Sequence, residues 1–201
     1  MTTRMLPEPV IRMSQFYRAR ADGTQFRGSC GQTALAVAMA AARGTPTDYE
    51  GVGELMIVLT RAMVANGTAA PNGASRLSAL AQAARDAGCP VALELPYQAP
   101  QMAGWRAILR EHAGQQPIVL QVAQGEALAD AETGGRDDVG LRYHAIAVLG
   151  LSEAGYICAD SDNSEVTRRF QIYPEATLAA AQPCGLLMLA LTRAKNSGTK
   201  C

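Results

Sequence analysis

Cys30, His144 and Asp160 are the three side chains whose types and order could carry covalent chemistry. Cys30 lies in "TQFRGSCGQTALAVAMAAARG", between a glycine-bearing turn and an apolar run with no charge before Arg43. A cysteine in the first turn of a helix faces unpaired backbone N–H groups and the positive end of the helix dipole, and both favour thiolate over thiol. Gly28 and Gly31 leave the flanking backbone bare, so a carbonyl carbon could approach the sulfur closely. The plain alternative is a small residue that merely opens a buried helix.

A nucleophilic thiol needs a base, and the sequence holds two histidines. His112, in "LREHAGQQ", sits among charged residues and reads as a solvated histidine in the last turn of a helix. His144 opens "HAIAVLGL", a run apolar at nearly every following position, so a titratable ring stands at the mouth of a buried strand. An imidazole base is held in one tautomer and orientation by a third group. A tight turn over Ser152 to Gly155 folds the next strand back onto the first, and a turn centred near 152 or 153 sets Asp160 almost opposite His144 or Tyr143. Asp162 and Asn163 compete for the same role, and the three could simply make a polar turn. Cross-strand geometry favours Asp160.

The elements that position these groups are legible in outline. Gly31 to Ala42 has no polar face, which predicts a helix buried on all sides and closed by Arg43 and Gly44. A second helix is expected from Asp48 to Ala65, stopped by Asn66-Gly67, and a third from an N-cap at Ser75 through Ala87. Residues 90–95 read as a strand, 101–113 as a helix and 117–122 as a buried strand. After the polar loop "GEALADAETGGRDDVG", strands are expected near 143–149, 156–159, 167–172 and 185–191, with a short helix between the last two. Helices first and an antiparallel sheet second is an α+β pattern.

Composition narrows the function classes. The chain has 201 residues, 48% of them hydrophobic, and its 18 basic and 18 acidic residues cancel. No linker divides it, so one domain over 1–201 is expected, with its core over about 20–192 and less regular ends at 1–20 and 193–201. Basic residues are scattered and Arg168-Arg169 stands alone, which argues against a nucleic-acid footprint. The N-terminal stretch has no apolar core of the signal-peptide kind, and no apolar run nears the ~20 residues of a membrane span. A cytoplasmic protein is the expectation. The five cysteines form no C-x-x-C pair and have no histidine at zinc-ligand spacing, so neither a disulfide framework nor a structural metal is expected. Cys89, Cys158 and Cys184 read as core fillers. No glycine-rich phosphate loop follows a strand, and no cofactor is expected.

"SCGQTALAVAM", "HAIAVLG" and "YICADSDN", in this order and with the helical segment "GASRLSALAQAARDAG" between the first two, resemble the papain-like cysteine peptidases. The resemblance is closest to the bacteriocin-processing, double-glycine leader peptidase branch and its stand-alone bacterial relatives. It implies a papain-like fold, in which a buried N-terminal helix carries Cys30 and packs on a C-terminal antiparallel sheet. It also implies a Cys30, His144, Asp160 triad acting through an acyl-enzyme on a peptide or protein substrate. In that family a glutamine shortly before the cysteine lends its amide to the oxyanion hole, and Gln25 is the match. Its five-residue step to Cys30 is one shorter than the family's usual step. An oxyanion donor is worth roughly 3 kcal/mol of barrier.

The alternatives are a peptide-binding module of the same fold, an acyltransferase or a hydrolase of other amides, and an effector delivered into a partner cell with the same triad. Retention of all three candidate residues favours catalysis.

Overall fold

The computed structural model describes residues 3–6, 29–44, 49–71, 73–97, 99–128, 143–160 and 170–192. A two-residue strand, β1 (Arg4–Met5), opens the described chain. The first helix, α1 (Cys30–Arg43), is buried at every position from Gly31 to Ala42, as a run of Ala, Leu, Val and Met without a polar face requires. Gly44 ends it in the left-handed conformation (φ 60°), and its N–H returns to the Ala41 carbonyl. At the other end the Thr33 N–H and hydroxyl both donate to the Ser29 carbonyl at 2.8 Å, which closes the first turn beneath Cys30.

The second helix, α2 (Tyr49–Ala65), stops where Gly67 adopts a positive φ of 76°. In α3 (Leu77–Asp86), Leu77, Leu80, Ala81 and Ala84 are buried, the i, i+3, i+4, i+7 stripe of a helix with one face on a core. Arg76, not Ser75, holds the N-cap position, in extended backbone and without a side-chain cap. Ser75 is drawn off by an antiparallel bridge to Ala69, which takes it out of capping geometry. Beyond β2 (Val91–Leu95), the expected single helix over 101–113 divides into a 3₁₀ turn over Pro100–Gly104 and α4 (Trp105–His112). Proline suits the start of such a turn because its missing N–H has no intrahelical partner to lose.

The second half is strand-rich as expected: β3 (Ile118–Val122), β4 (His144–Leu151), β5 (Tyr156–Asp160), β6 (Gln171–Tyr173), α5 (Glu175–Ala180) and β7 (Pro183–Leu189). They form one antiparallel sheet in the order β2-β7-β3-β4-β5-β6, with β1 on the far end of β4. All eight residues of β4 are buried, because helices cover both faces of the sheet. On one face α1, α2 and α3 pack over Val119, Ala145, Ala147, Leu149, Ala159 and Leu187. On the other, α4 and α5 cover Leu120, Ile146, Val148, Cys158, Tyr173 and Leu186. Each fully buried Leu or Ile side chain contributes about 2 kcal/mol of transfer free energy to these cores.

Candidate active site

His144 is the first residue of β4, and Asp160 is the last residue of β5. The hairpin between them turns over Ser152 to Gly155, where the Ser152 N–H and hydroxyl both donate to the Gly155 carbonyl, at 2.8 and 3.0 Å. Asp160 pairs with Ile146, not with His144 or Tyr143, which corrects the register read from the sequence. The turn is centred between 153 and 154, which by itself would set Asp160 opposite Ala147; an extra residue in β4 between Val148 and Gly150, a bulge that the pattern of apolar residues does not reveal, brings Ile146 opposite instead. His144 therefore lies diagonally from Asp160 on one face. Two such side chains are within reach of each other. The Nε2–H of His144 donates to Asp160 Oδ1 at 2.7 Å, with both residues almost wholly buried.

The protonation of the ring follows from its surroundings. Burial by itself pushes His144 toward the neutral form. The charge and hydrogen bond of Asp160 oppose burial and prevail, with a further hydrogen-bonding and Coulombic contribution from Cys30, and the pKa rises from 6.5 to about 10. Cys30 heads α1, half-buried, close enough to act on that imidazole. Nε2 is taken by Asp160, and Nδ1 is buried without a well-formed hydrogen bond among the described residues. Nδ1 is thus the nitrogen left to address the thiol.

The surroundings of the thiol differ in part from the sequence reading. Gly31 is buried, and a Cβ there would meet Leu80 Cδ1 at 3.0 Å and Ser75 Oγ at 3.2 Å. Its bareness serves close packing of α1 on α3 and its approach loop, in place of substrate access. Gln32 donates from Nε2 to the Gly73 carbonyl at 2.7 Å, which ties Gly73 to the first turn of α1. Gln25, Gly28, Asp162 and Asn163 lie outside the described residues. His112 ends α4, beside Glu111 and on the opposite side of the sheet from α1. Cys89, Cys158 and Cys184 are buried, as core fillers should be.

One polar contact of the site went unread in the sequence. The Tyr173 O–H donates to Asp160 Oδ2 at 2.7 Å. The signal available was a tyrosine at the end of a strand, just before Pro174: a phenol that is buried there needs a partner for its hydroxyl. Beside the site, Tyr143 and Tyr97 stand exposed with their rings edge to face, 5.9 Å between centroids. Among the described residues no group of three or more His, Cys, Asp or Glu is placed to hold a metal ion, and no helix is long and apolar enough to cross a membrane.

No protein-family model and no curated protein matches this sequence. Among solved structures, a Bacillus anthracis protein provisionally described as a C39-like peptidase aligns over 92% of this chain and 96% of its own, with a TM-score of 0.51 and 12% identity. The Pseudomonas avirulence protein AvrPphB aligns over 80% of this chain and 89% of its own, at a TM-score of 0.35 and 14% identity. The fold is the papain-like α+β architecture, with the buried helix that starts at Cys30 packed on the antiparallel sheet.

Proposed function

We propose that this chain is a cysteine peptidase or amide hydrolase that cleaves a peptide-like substrate with Cys30, His144 and Asp160. The observation that carries the reading is the buried 2.7 Å pair of His144 and Asp160, whose imidazole is also acted on by the thiol at the head of α1. The papain-like framework is consistent with it.

The chemistry is acyl transfer. The proton resides on His144, held there by the Asp160 carboxylate, and the Cys30 thiolate attacks the substrate's amide carbonyl carbon. As the C–S bond forms, the carbonyl electron pair moves onto oxygen, which accepts hydrogen bonds from the Cys30 backbone N–H and, as the family resemblance implies, from the Gln25 amide. The pair returns to re-form the carbonyl, the C–N bond breaks, and the imidazolium gives its proton to the leaving amine. His144, now neutral, takes a proton from water as the water oxygen attacks the thioester. Expulsion of the thiolate releases the acid and restores the starting pair. Asp160 holds the ring in one orientation throughout and does not itself take up the proton.

The test is an untargeted peptide-library digest with wild type and Cys30→Ala. Cleavages present in wild type and lost in the variant, with the two melting alike, are the expected result. Identical digests would overturn the peptidase reading and leave a peptide-binding module.

A further inference from the structure

Asp160 is engaged on both oxygens. Oδ1 accepts from His144 Nε2 and Oδ2 accepts from the Tyr173 hydroxyl, each at 2.7 Å, and Tyr173 is itself 5% exposed. The reach is long. Tyr173 pairs with Tyr156, four residues before Asp160 on β5, which is about 13 Å along a strand. The phenol must therefore lie along the sheet, past Cys158 on the same face, to deliver its oxygen to the carboxylate. Its backbone is fixed on both sides. Gly155 sits against the Tyr173 carbonyl, and Glu175, two residues on, is held by Arg110 through two hydrogen bonds and by Arg106 at 3.3 Å.

We propose that Tyr173 is a positioning residue of the site: its O–H fixes the Asp160 carboxylate in the orientation that receives the His144 ring and favours its ionised form. A hydrogen bond to the charged form of a carboxyl group stabilises that form, and a fixed acceptor fixes the ring that donates to it. The titratable groups that face Asp160 from the described elements are His144 on β4, Cys158 on β5, Tyr173 on β6 and, through the imidazole, Cys30 on α1. The kinetic consequence rests on the peptidase reading. The effect on the pair does not.

Tyr173→Phe keeps the ring and removes only the hydroxyl. The expected result is a fall in kcat of about ten-fold with KM changed by less than about two-fold, because one charge-assisted hydrogen bond is lost behind the substrate. The acid limb of the pH profile should move to higher pH as Asp160 becomes easier to protonate. In an Asp160→Ala background the same substitution should add no further loss of activity. Genetically encoded 3-fluorotyrosine at position 173, a stronger donor of the same shape, should move the acid limb the other way, and it serves if the phenylalanine variant folds poorly. An NMR titration of His144 reads the effect without turnover, since protonation of Asp160 moves the ring resonances. It should occur at higher pH in Tyr173→Phe. A wild type that cleaves no peptide while this NMR difference is present would sink the peptidase reading alone. Superimposable titrations of folded wild type and variant would sink the role of Tyr173 alone.

Discussion

Asp160→Asn separates the charge of the pair from its shape. An asparagine amide can still accept from His144 Nε2–H and can turn its NH₂ toward the Tyr173 oxygen, so the packing is retained while the negative charge is lost. In the native protein the imidazole rises from 6.5 to about 10 although burial works against it. That net difference corresponds to about 5 kcal/mol in favour of the protonated ring. With the carboxylate charge gone, burial is no longer outweighed, and the pKa of His144 should fall toward 6.5 or below. The sign for stability follows. Between 6.5 and about 10 the native state holds a proton that the unfolded chain releases, so wild-type stability is complete below 6.5 and declines as pH rises through that window. Urea unfolding at about pH 6 and about pH 8, below the range where the buried thiols contribute, should show a loss of about 2 kcal/mol in wild type and little change in Asp160→Asn. The alkaline limb of kcat/KM should move down with the ring, from near 10 toward 6.5. A wild-type stability that stays flat across the window, or an Asp160→Asn variant with an unmoved alkaline limb, would refute the reasoning.

Gly155→Ala should cost about 3 kcal/mol, because a Cβ at φ 145° collides with backbone atoms of Tyr173 and Pro174 that cannot swing aside. Gly67→Ala, with φ 76° in open space, should cost only about 1 kcal/mol, and equal shifts in urea midpoint would contradict the account. Ile146→Ala and Leu149→Ala should each lose about 2–5 kcal/mol of stability, since both side chains are fully buried. Only Ile146→Ala, opposite Asp160, should also lower kcat where both variants are fully folded, and a matching loss in Leu149→Ala would count against a local effect. Native alkylation near neutral pH, read by peptide mapping, should label Cys30 and spare Cys89 and Cys158, which burial closes off and, for Cys158, also pushes the thiol pKa up. Labelling of Cys158 at the rate of Cys30 would show that the second core opens readily.

The helices, the strands and their order were readable because burial leaves a plain signature. A run such as Gly31 to Ala42 can only be covered on every side, and "HAIAVLGL" can only be a strand with both faces packed. The small decisions were less visible. Whether Ser75 caps α3 depends on its bridge to Ala69, and whether Gly31 faces substrate or Leu80 depends on how closely two helices approach. The register of Asp160 depends on one extra residue in β4, which shifts the strand without altering its apolar character. β1 is only two residues long and has no periodicity to detect. Tyr173 was hidden for a different reason: it reaches Asp160 along the strand, and no pairing rule for adjacent residues predicts a contact four residues out of register.

The placement of the site follows from the two faces of the sheet. By alternation along the strands, His144 and Asp160 belong with Ile146, Cys158 and Tyr173, on the face covered by α4 and α5, whereas Cys30 heads the helix that packs on the opposite face. Groups anchored on opposite faces can meet only past the end of a strand. His144 is the first residue of β4, and the exposed Tyr143 before it marks where the sheet gives out. A thiol farther along α1 would lie over the sheet, screened from the ring by the backbone of β3 and β4. The proposed chemistry therefore needs the cysteine at the N-terminus of its helix and the histidine at the start of its strand. This division lets one core shelter the charge of the imidazole while the other presents a half-buried sulfur, so the arrangement depends on both cores being formed.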